Sequence, residues 1–354
     1  VAQTFRNRFG TMTINLKELS AKLGLSQTTV SRALNGYPEV SQSTRDRVAQ
    51  AAARYGYRPN PRAKGLAVGR AFAIGHVIQS DGPTEIVNPI FGDFIAGAGA
   101  AYSQAGYEMV LSVVSDGDEA ATYKALKARG AVDGVVLSGP LVTDPRIPLL
   151  QDIGLPFVVH GQTLDQVPDY DWVDVDNFEA FRSATTHLID LGHRRIALIN
   201  GHETMTFAHL RREGYLHSLE AAGIAPDPAL MFSSDMTEEI GFRSCLKMLD
   251  ADQPPTAFVV SSMISALGVR RAIEGRGLTM GRDISVVIHD DALSYLQNGS
   301  DRPIFTATRS SVRDAGREVA DMLIRRIEDP TLPPQHLLLS AALVQGGSSG
   351  PALA

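Results

Sequence analysis

The stretch INLKELSAKLGLSQTTVSRALNG, Ile14–Gly36, decides the architecture of the N-terminal part of the chain. Leu16, Leu19, Ala21 and Leu23 supply apolar positions for a first short helix. Gly24 permits a sharp bend, and Ser26 is a good N-cap for a second helix over Gln27–Leu34. Val30, Ala33 and Leu34 are expected to face the core of this pair. The opposite face carries Gln27, Thr28, Ser31 and Arg32, side chains that can hydrogen-bond base edges or phosphates in a major groove. A helix–turn–helix with a polar recognition face is the architecture these residues imply.

Outward from that pair, a third helix is expected at roughly Ser43–Tyr55, followed by YGYRPNPRAKGLAVG, Tyr55–Gly69. Asn60-Pro61 is a helix-start pair, Asn as cap and Pro at the first helical position, opening a short segment Arg62–Val68. The run TVSRALN at Thr29–Asn35, Val40-Ser41, YGYRPN at Tyr55–Asn60 and the Ala63-x-x-Leu66 spacing together resemble the headpiece and hinge helix of the lactose-repressor (LacI/GalR) family. The resemblance implies DNA contacts also from Ser26, Thr29, Asn35 and Tyr57. From the hinge it implies contacts by Asn60, Ala63, Lys64 and Leu66, with Leu66 matching the apolar wedge that family members push into the minor groove. It implies a pseudo-palindromic double-stranded operator and a homodimer. The C-terminal SAALVQGGSSGPALA has no apolar heptads, so a tetramer-forming tail is not expected.

Charge is divided accordingly. Thr13–Arg70 holds ten Lys and Arg against Glu18, Glu39 and Asp46, a net of +7, whereas the whole chain is −6. Arg6 and Arg8 add two positive charges, leaving −15 on residues 71–354. Cationic surface is concentrated where phosphates would be met, so the acidic total does not exclude nucleic acid. The sole cysteine, Cys245, excludes an internal disulfide and fits a reducing cytoplasm. No apolar run approaches membrane-helix length, and VAQTFRNRFGTM lacks the apolar core of a signal peptide. That tail, 1–12, is expected to be disordered, with Met12 and Val1 the two candidate starts.

From Ala71 onward, short Val/Ile-rich strands alternate with amphipathic helices. The rhythm runs AFAIGHVI, IAGAGAAYSQAG, YEMVLSVV, YKALKARG, VDGVVLSG, PFVVHG, and restarts after Trp172 with AFRSATTHLIDLG, RRIALING, GYLHSLEAAG, a strand near Met231, FRSCLKMLD, TAFVVSS, ALGVRRAIEGRG and ISVVIHD. Alternation of this kind predicts parallel sheets. The returning strand IFTATRSS and helix VRDAGREVADMLIRRI suggest two doubly wound lobes joined by crossing strands, with a ligand cleft between them beyond the strand carboxyl ends. The expected layout is a headpiece over 13–59, a hinge helix and linker over 60–70, and a two-lobed α/β domain over 71–354. In that domain, lobe 1 takes about 71–172 and 309–338, and lobe 2 about 173–308 and 339–354. DVDN at Asp174–Asn177, HLIDLGHRRIALI and DISVVIHDD also resemble the family's effector domain, which is like a periplasmic binding protein.

Catalysis finds no support in these residues. Gly97-Ala98-Gly99 begins like a dinucleotide loop, but Tyr102 stands at its third glycine position and the run lies inside an apolar helix pattern, so it reads as helix packing. His187 and His193 are six apart and do not share a helix face, and Cys245 has no ligand companion, so neither metal nor other cofactor is expected. No Gly-x-Ser-x-Gly turn or phosphate loop is present.

For the effector pocket, Asp290 at the end of a predicted strand can accept hydrogen bonds from two adjacent sugar hydroxyls, with Asp291 as its structural neighbour. The resemblance adds pocket positions at Gly161, His209 and Ser262, with Arg211 nearby. Many sugar-binding members carry arginine at the His209 position and Asn-Asp at Ser262-Met263, so the hydroxyl contacts are altered here. Phe91, Phe207, Trp172 and Tyr295 are candidate apolar walls for a sugar face, each equally suited to core packing. His160 and Gln162 flank the Gly161 turn as candidate donors. PFVVHGQ and TFAHLRREGY resemble strings of α-glucoside-utilisation regulators. The expectation is a repressor responding to a small molecule, a sugar first and a nucleoside or purine second. An exported solute-binding protein would need export and no headpiece.

Overall fold

The computed structural model describes residues 14–34, 36–57, 69–79, 88–114, 119–165, 169–299 and 301–353. The chain divides into two compact units, one ending at Phe72 and one beginning at Ala73. The proposed hinge contacts Asn60, Ala63, Lys64 and Leu66 lie outside the described residues, as do Asn35 and the N-terminal tail.

The first unit is helical, with α1 at Leu16–Leu23, α2 at Gln27–Leu34 and α3 at Gln42–Arg54. A reciprocal capping box starts α1: the Asn15 side chain accepts from Glu18 N and Glu18 accepts from Asn15 N, both at 2.9 Å. Gly24, at φ 64°, ends it in the left-handed conformation that a side chain would strain. Ser26 then caps α2, its Oγ accepting from Thr29 N at 3.0 Å. Leu19, Val30, Ala33, Val40, Val48 and Ala52 form the core. Leu16, Leu23 and Leu34 pack partly buried against them, but Ala21 is solvent-exposed and Ser20 takes the buried position beside Leu19.

The second unit has two six-stranded sheets. Strands β1 (Ala73–Gln79), β2 (Glu108–Val114), β3 (Gly134–Ser138), β4 (Phe157–His160), β5 (Asp171–Val175) and β11 (His336–Leu339) form one, in the order β11-β5-β4-β3-β1-β2. The other contains β6 (Ile196–Asn200), β7 (Met231–Ser233), β8 (Ala257–Val260), β9 (Ser285–Asp290), β10 (Thr306–Arg309) and β12 (Ala342–Val344), in the order β12-β10-β9-β8-β6-β7. All pairings are parallel except β10 with β12. Each sheet reverses its winding direction beside its first strand, so each lobe has a switch point where carboxyl ends open onto a crevice.

In lobe 1 the linking helices are α4 (Pro89–Ala105), α5 (Glu119–Ala128) and α6 (Arg146–Asp152). Lobe 2 has α7 (Asn177–Asp190), α8 (Thr206–Ala221), α9 (Glu238–Leu249) and α10 (Met263–Gly275), and α11 (Val312–Glu328) returns to pack on lobe 1. The chain therefore crosses between lobes three times: from β5 into α7, from β10 into α11, and from β11 into β12.

Helices meet closely through small residues. Gly97 of α4 lies on the backbone of α11, where a methyl would overlap Arg313 O, and Gly316 of α11 lies likewise on Phe94 O. This is the packing role read from the Gly97-Ala98-Gly99 run. The lobe 2 core holds two layers: Phe258, Val260, Ile273, Val286 and Ile288 on the α9/α10 side, and Phe181, Leu188, Leu198, Val259 and Val287 on the α7/α8 side.

Candidate functional site

On the headpiece, Ser26, Gln27, Thr28 and Arg32 are exposed, while Thr29 and Ser31 are half-buried. The hydroxyl of Thr29 lies 2.8 Å from Ser26 Oγ, so this pair builds the start of α2 as well as standing on its surface. Arg32 pairs with Glu39 at 3.5 Å, both half-exposed, a contact that DNA phosphates could displace at little cost. Arg45 donates to Tyr37 O at 3.1 Å and Gln42 Oε1 at 2.8 Å, and Arg47 donates to Leu23 O, so these two cations brace the turns around α2. The ammonium of Lys22 sits 4.8 Å from the Tyr55 ring centre. Tyr57 packs partly buried against the headpiece core, which raises its hydroxyl pKa.

Between the lobes of the second unit, the carboxyl ends of the strands converge on Arg211. This residue of α8 is 5 % exposed. It donates from Nε to Asn177 Oδ1 at 2.8 Å and from Nη1 to Ser261 O at 2.7 Å. Its plane lies over the rings of Phe207, at 4.9 Å, and Phe181, at 5.1 Å. Nη2 makes no hydrogen bond to a described residue. Desolvation lowers the guanidinium pKa to about 10, against the pull of Asp291 and Asp174. It stays charged at neutral pH.

Two carboxylates attend it. Burial raises the pKa of Asp174, at the end of β5, to about 6; Gln162 Nε2 donates to its Oδ2 at 3.0 Å and Val175 N to its Oδ1 at 2.8 Å. Burial likewise raises Asp291 to about 6, with Arg211 as the main opposing influence. Asp290 is placed differently. Its Oδ1 accepts from Ala292 N at 2.9 Å, its Oδ2 is 3.7 Å from Arg309 Nε, and it lines a pocket of about 340 Å³ with Ser294, Asn298 and Arg309. Asp290 ends β9 and Asp291 follows it, and the two have different surroundings: Ala292 and Arg309 act on Asp290, Arg211 on Asp291.

The other pocket candidates fall as follows. His160, the last residue of β4, stacks at 4.4 Å on Phe94 of α4, and desolvation lowers its pKa to about 4, leaving it neutral. Gly161 has φ 110°, and a methyl there would lie 2.7 Å from Pro140 Cδ, so this bend admits no side chain. His209 is half-buried on α8 beside Arg211. Ser262 caps α10, its Oγ accepting from Ser265 N at 3.1 Å. Phe91 is half-buried at the start of α4. Trp172 stacks on His336 at 4.9 Å across β5 and β11, and Tyr295 is 95 % exposed. The structure thus gathers Gln162, Phe207 and Arg211 with Asp174, Asn177 and Asp291. Asp174 and Asn177 belong to the DVDN run but carry no role legible in sequence, because a strand-end acid gives no sign of which face it takes.

Away from the cleft, His193 bonds to Thr256 Oγ1 and Gly350 O, His187 to Ser349 Oγ, and Cys245 is fully buried. No helix among the described residues is long and apolar enough to cross a membrane.

Backbone hydrogen bonds join the lobes beside the cleft. Val142 N donates to Thr204 O at 2.9 Å and Thr206 N to Pro140 O at 3.0 Å, framing a bridge between Leu141 and Met205. Elsewhere Asp93 of α4 accepts from Ser294 N and Oγ, at 2.8 and 2.7 Å, and from Arg313 Nη2 at 2.6 Å.

Known proteins share both units. Residues 15–60 match the family described as bacterial regulatory proteins, lacI family, and residues 185–349 match the periplasmic binding protein-like domain. The HTH-type transcriptional regulator AglR of Rhizobium meliloti (strain 1021) is 45 % identical over 342 residues, 96 % of each chain. Among solved structures, a transcriptional regulator CelR–cellobiose complex is 30 % identical with a TM-score of 0.70, covering 95 % of this chain and 99 % of its own. A lac repressor dimer bound to operator and the anti-inducer ONPF is 28 % identical with a TM-score of 0.81, covering 96 % and 99 %. The capped helix pair and the two crossed lobes are those of a DNA-binding transcriptional regulator, and the chain belongs to the lacI family.

Proposed function

We propose that this regulator is a homodimeric repressor acting in the cytoplasm, and that a small sugar bound between its lobes sets its hold on a pseudo-palindromic operator. Arg211 carries the reading. A buried guanidinium with one nitrogen unengaged by the described protein, two nearby carboxylates and the Phe207 ring offers a polyol what it needs: a charged donor, strong acceptors and an apolar face. The CelR structure holding cellobiose supports a sugar over a nucleoside. The hinge segment 61–68, with Gly65 in it, lies outside the described residues, and its part in the switch is read from sequence alone. A sugar that closes the cleft changes the spacing of the two hinges and so couples to operator binding.

The test is thermal shift of the full chain with maltose, sucrose, trehalose, cellobiose, ribose and adenosine, since a ligand of the folded state raises the melting temperature. At least one sugar should raise it and change operator affinity, and Arg211→Lys should abolish both effects. A response to adenosine alone would replace the sugar with a nucleoside.

A further inference from the structure

Arg211 is held by a chain of buried polar groups that starts in the other lobe. Gln162, in the loop after β4, donates to Asp174 at the end of β5. Asn177, the first residue of α7, donates from Nδ2 to Asp174 Oδ1 at 3.3 Å and to Val175 O at 2.9 Å, and its Oδ1 accepts from Arg211 Nε. Asp174, Asn177 and Arg211 are all 5 % exposed or less. On the far side Arg211 holds Ser261 O, and Ser261 Oγ donates to Asn200 Oδ1 at 2.6 Å. The links therefore run from the ends of β4 and β5, over the β5–α7 crossover, to the ends of β8 and β6.

An amide has a donor end and an acceptor end, and turning it over exchanges them. If Asn177 presented Nδ2 to Arg211, two donors would face each other in a dry site. Asp174 and Val175 O prevent this by occupying Nδ2, which leaves Oδ1 toward the guanidinium. Asp174 and Asn177 are separated only by the crossover residues 175 and 176, so a rotation of the lobes about this crossover alters their distance.

We propose that Asp174 is a positioning residue for effector recognition: through Asn177 it fixes the orientation of Arg211 in the cleft. The inference rests on the reading of Arg211 as the sugar-binding cation. The charged and titratable groups that bear on Asp174 are Arg211 from α8, the adjacent Asp176, and Tyr170 from the approach to β5; those that bear on Arg211 include Asp291 and His289 from β9 and its end. His289 is buried, and desolvation and Arg211 both lower its pKa, so it remains neutral. The groups left to change charge on mild acidification are Asp174 and Asp291, each raised to about 6.

The test follows the Arg211 Nε–H resonance in the full-length chain labelled with 15N-arginine, assigned through Arg211→Lys, from pH 5 to pH 8 without sugar. The wild-type signal should titrate near pH 6. In Asp174→Asn it should be displaced at pH 8, with solvent exchange about tenfold faster, while Asp291→Asn should keep a transition due to Asp174. With maltose and cellobiose as probes, Asp174→Asn should weaken binding about tenfold at pH 8, with the gap from wild type closing at pH 5. An Asp174→Asn signal identical to wild type in shift and exchange would overturn the relay, as would loss of the whole transition in Asp291→Asn. Arg211→Lys binding both sugars like wild type would instead remove the sugar reading of the cleft, and the arginine resonance would still decide the relay.

Discussion

Gly97 and Gly99 stand two residues apart in α4, and replacing each with alanine should move stability in opposite directions. Both are interior helical positions, so propensity alone favours alanine by about 1 kcal/mol at either one. At position 99 the new methyl lies 3.6 Å from Met109 Cε, an ordinary contact, and the gain stands. At position 97 it lies 2.8 Å from the carbonyl carbon of Arg313 and overlaps the oxygen, and both belong to the backbone of α11. No rotamer relieves that overlap. The helices must separate, which loosens the matching contact of Gly316 with Phe94. Overpacking of this kind costs about 1–3 kcal/mol, and rigid backbone on both sides favours the upper part of the range. Gly97→Ala should therefore lose about 1–2 kcal/mol after the propensity gain, while Gly99→Ala gains up to about 1 kcal/mol. Urea unfolding of the full chain, followed by circular dichroism with the slope checked for constancy, measures the gap. A Gly97→Ala chain as stable as Gly99→Ala would refute the claim that the α4–α11 contact is closed to a methyl group.

Asp171 accepts from Arg326 Nε and Nη2, at 2.7 and 3.0 Å, and from Gln335 N at 2.7 Å, while Arg326 also donates to the carbonyls of Pro330, Leu332 and Pro333. Asp171→Ala therefore removes the carboxylate partner of a largely buried guanidinium and should cost about 3 kcal/mol, and Asp171→Asn, which keeps one acceptor, should cost less in the same unfolding assay. Thr206 Oγ1 is buried with no hydrogen-bond partner among the described residues, so Thr206→Val should raise the melting temperature, relieving about 1 kcal/mol, and a fall would show that the hydroxyl is satisfied. Asp174 and Asp291 keep their protons up to about pH 6 when folded but release them near 3.8 when unfolded, so the stability they contribute at low pH is lost as the pH rises through 6. Denaturant unfolding from pH 3.5 to pH 8 should show that decline in wild type and a flatter profile in the Asp174→Asn, Asp291→Asn double variant. Gln27→Ala and Thr28→Ala, at exposed positions on α2, should cost about 1–3 kcal/mol on particular operator variants in titrations, and a uniform loss on every sequence would assign them to phosphates.

The headpiece was legible because its punctuation is local. Gly24, Ser26 and the apolar spacing of Leu19 and Val30 each act within a few residues, and neighbouring positions confirm one another. Ala21 was misplaced for a related reason: in an eight-residue helix the buried stripe is one or two residues wide, and Ser20, whose Oγ bonds Lys17 O at 2.9 Å, fits it with its polar group satisfied. The parallel rhythm and the crossing of lobes were legible from strand composition. Less of the cleft was. Adjacency in sequence does not say which of Asp290 and Asp291 meets Arg211, because that depends on where α7 and α8 pack. Ser262, a pocket position that the family resemblance implies, also caps the helix that follows. Asp174 acquires its partners from Gln162, in the loop after β4, and Asn177, at the start of α7.

The bridge at Leu141 and Met205 is drawn in peptide groups: Val142 N with Thr204 O, and Thr206 N with Pro140 O. Every residue except proline carries the donor, and every residue carries the acceptor, so the side chains along this rim are free to diverge while the closing contact persists. The bridge and the side chains lining the cleft are thereby separable. Residues around Arg211 can change in kind while this backbone bridge between the lobes stays open to whatever sequence stands on its two sides.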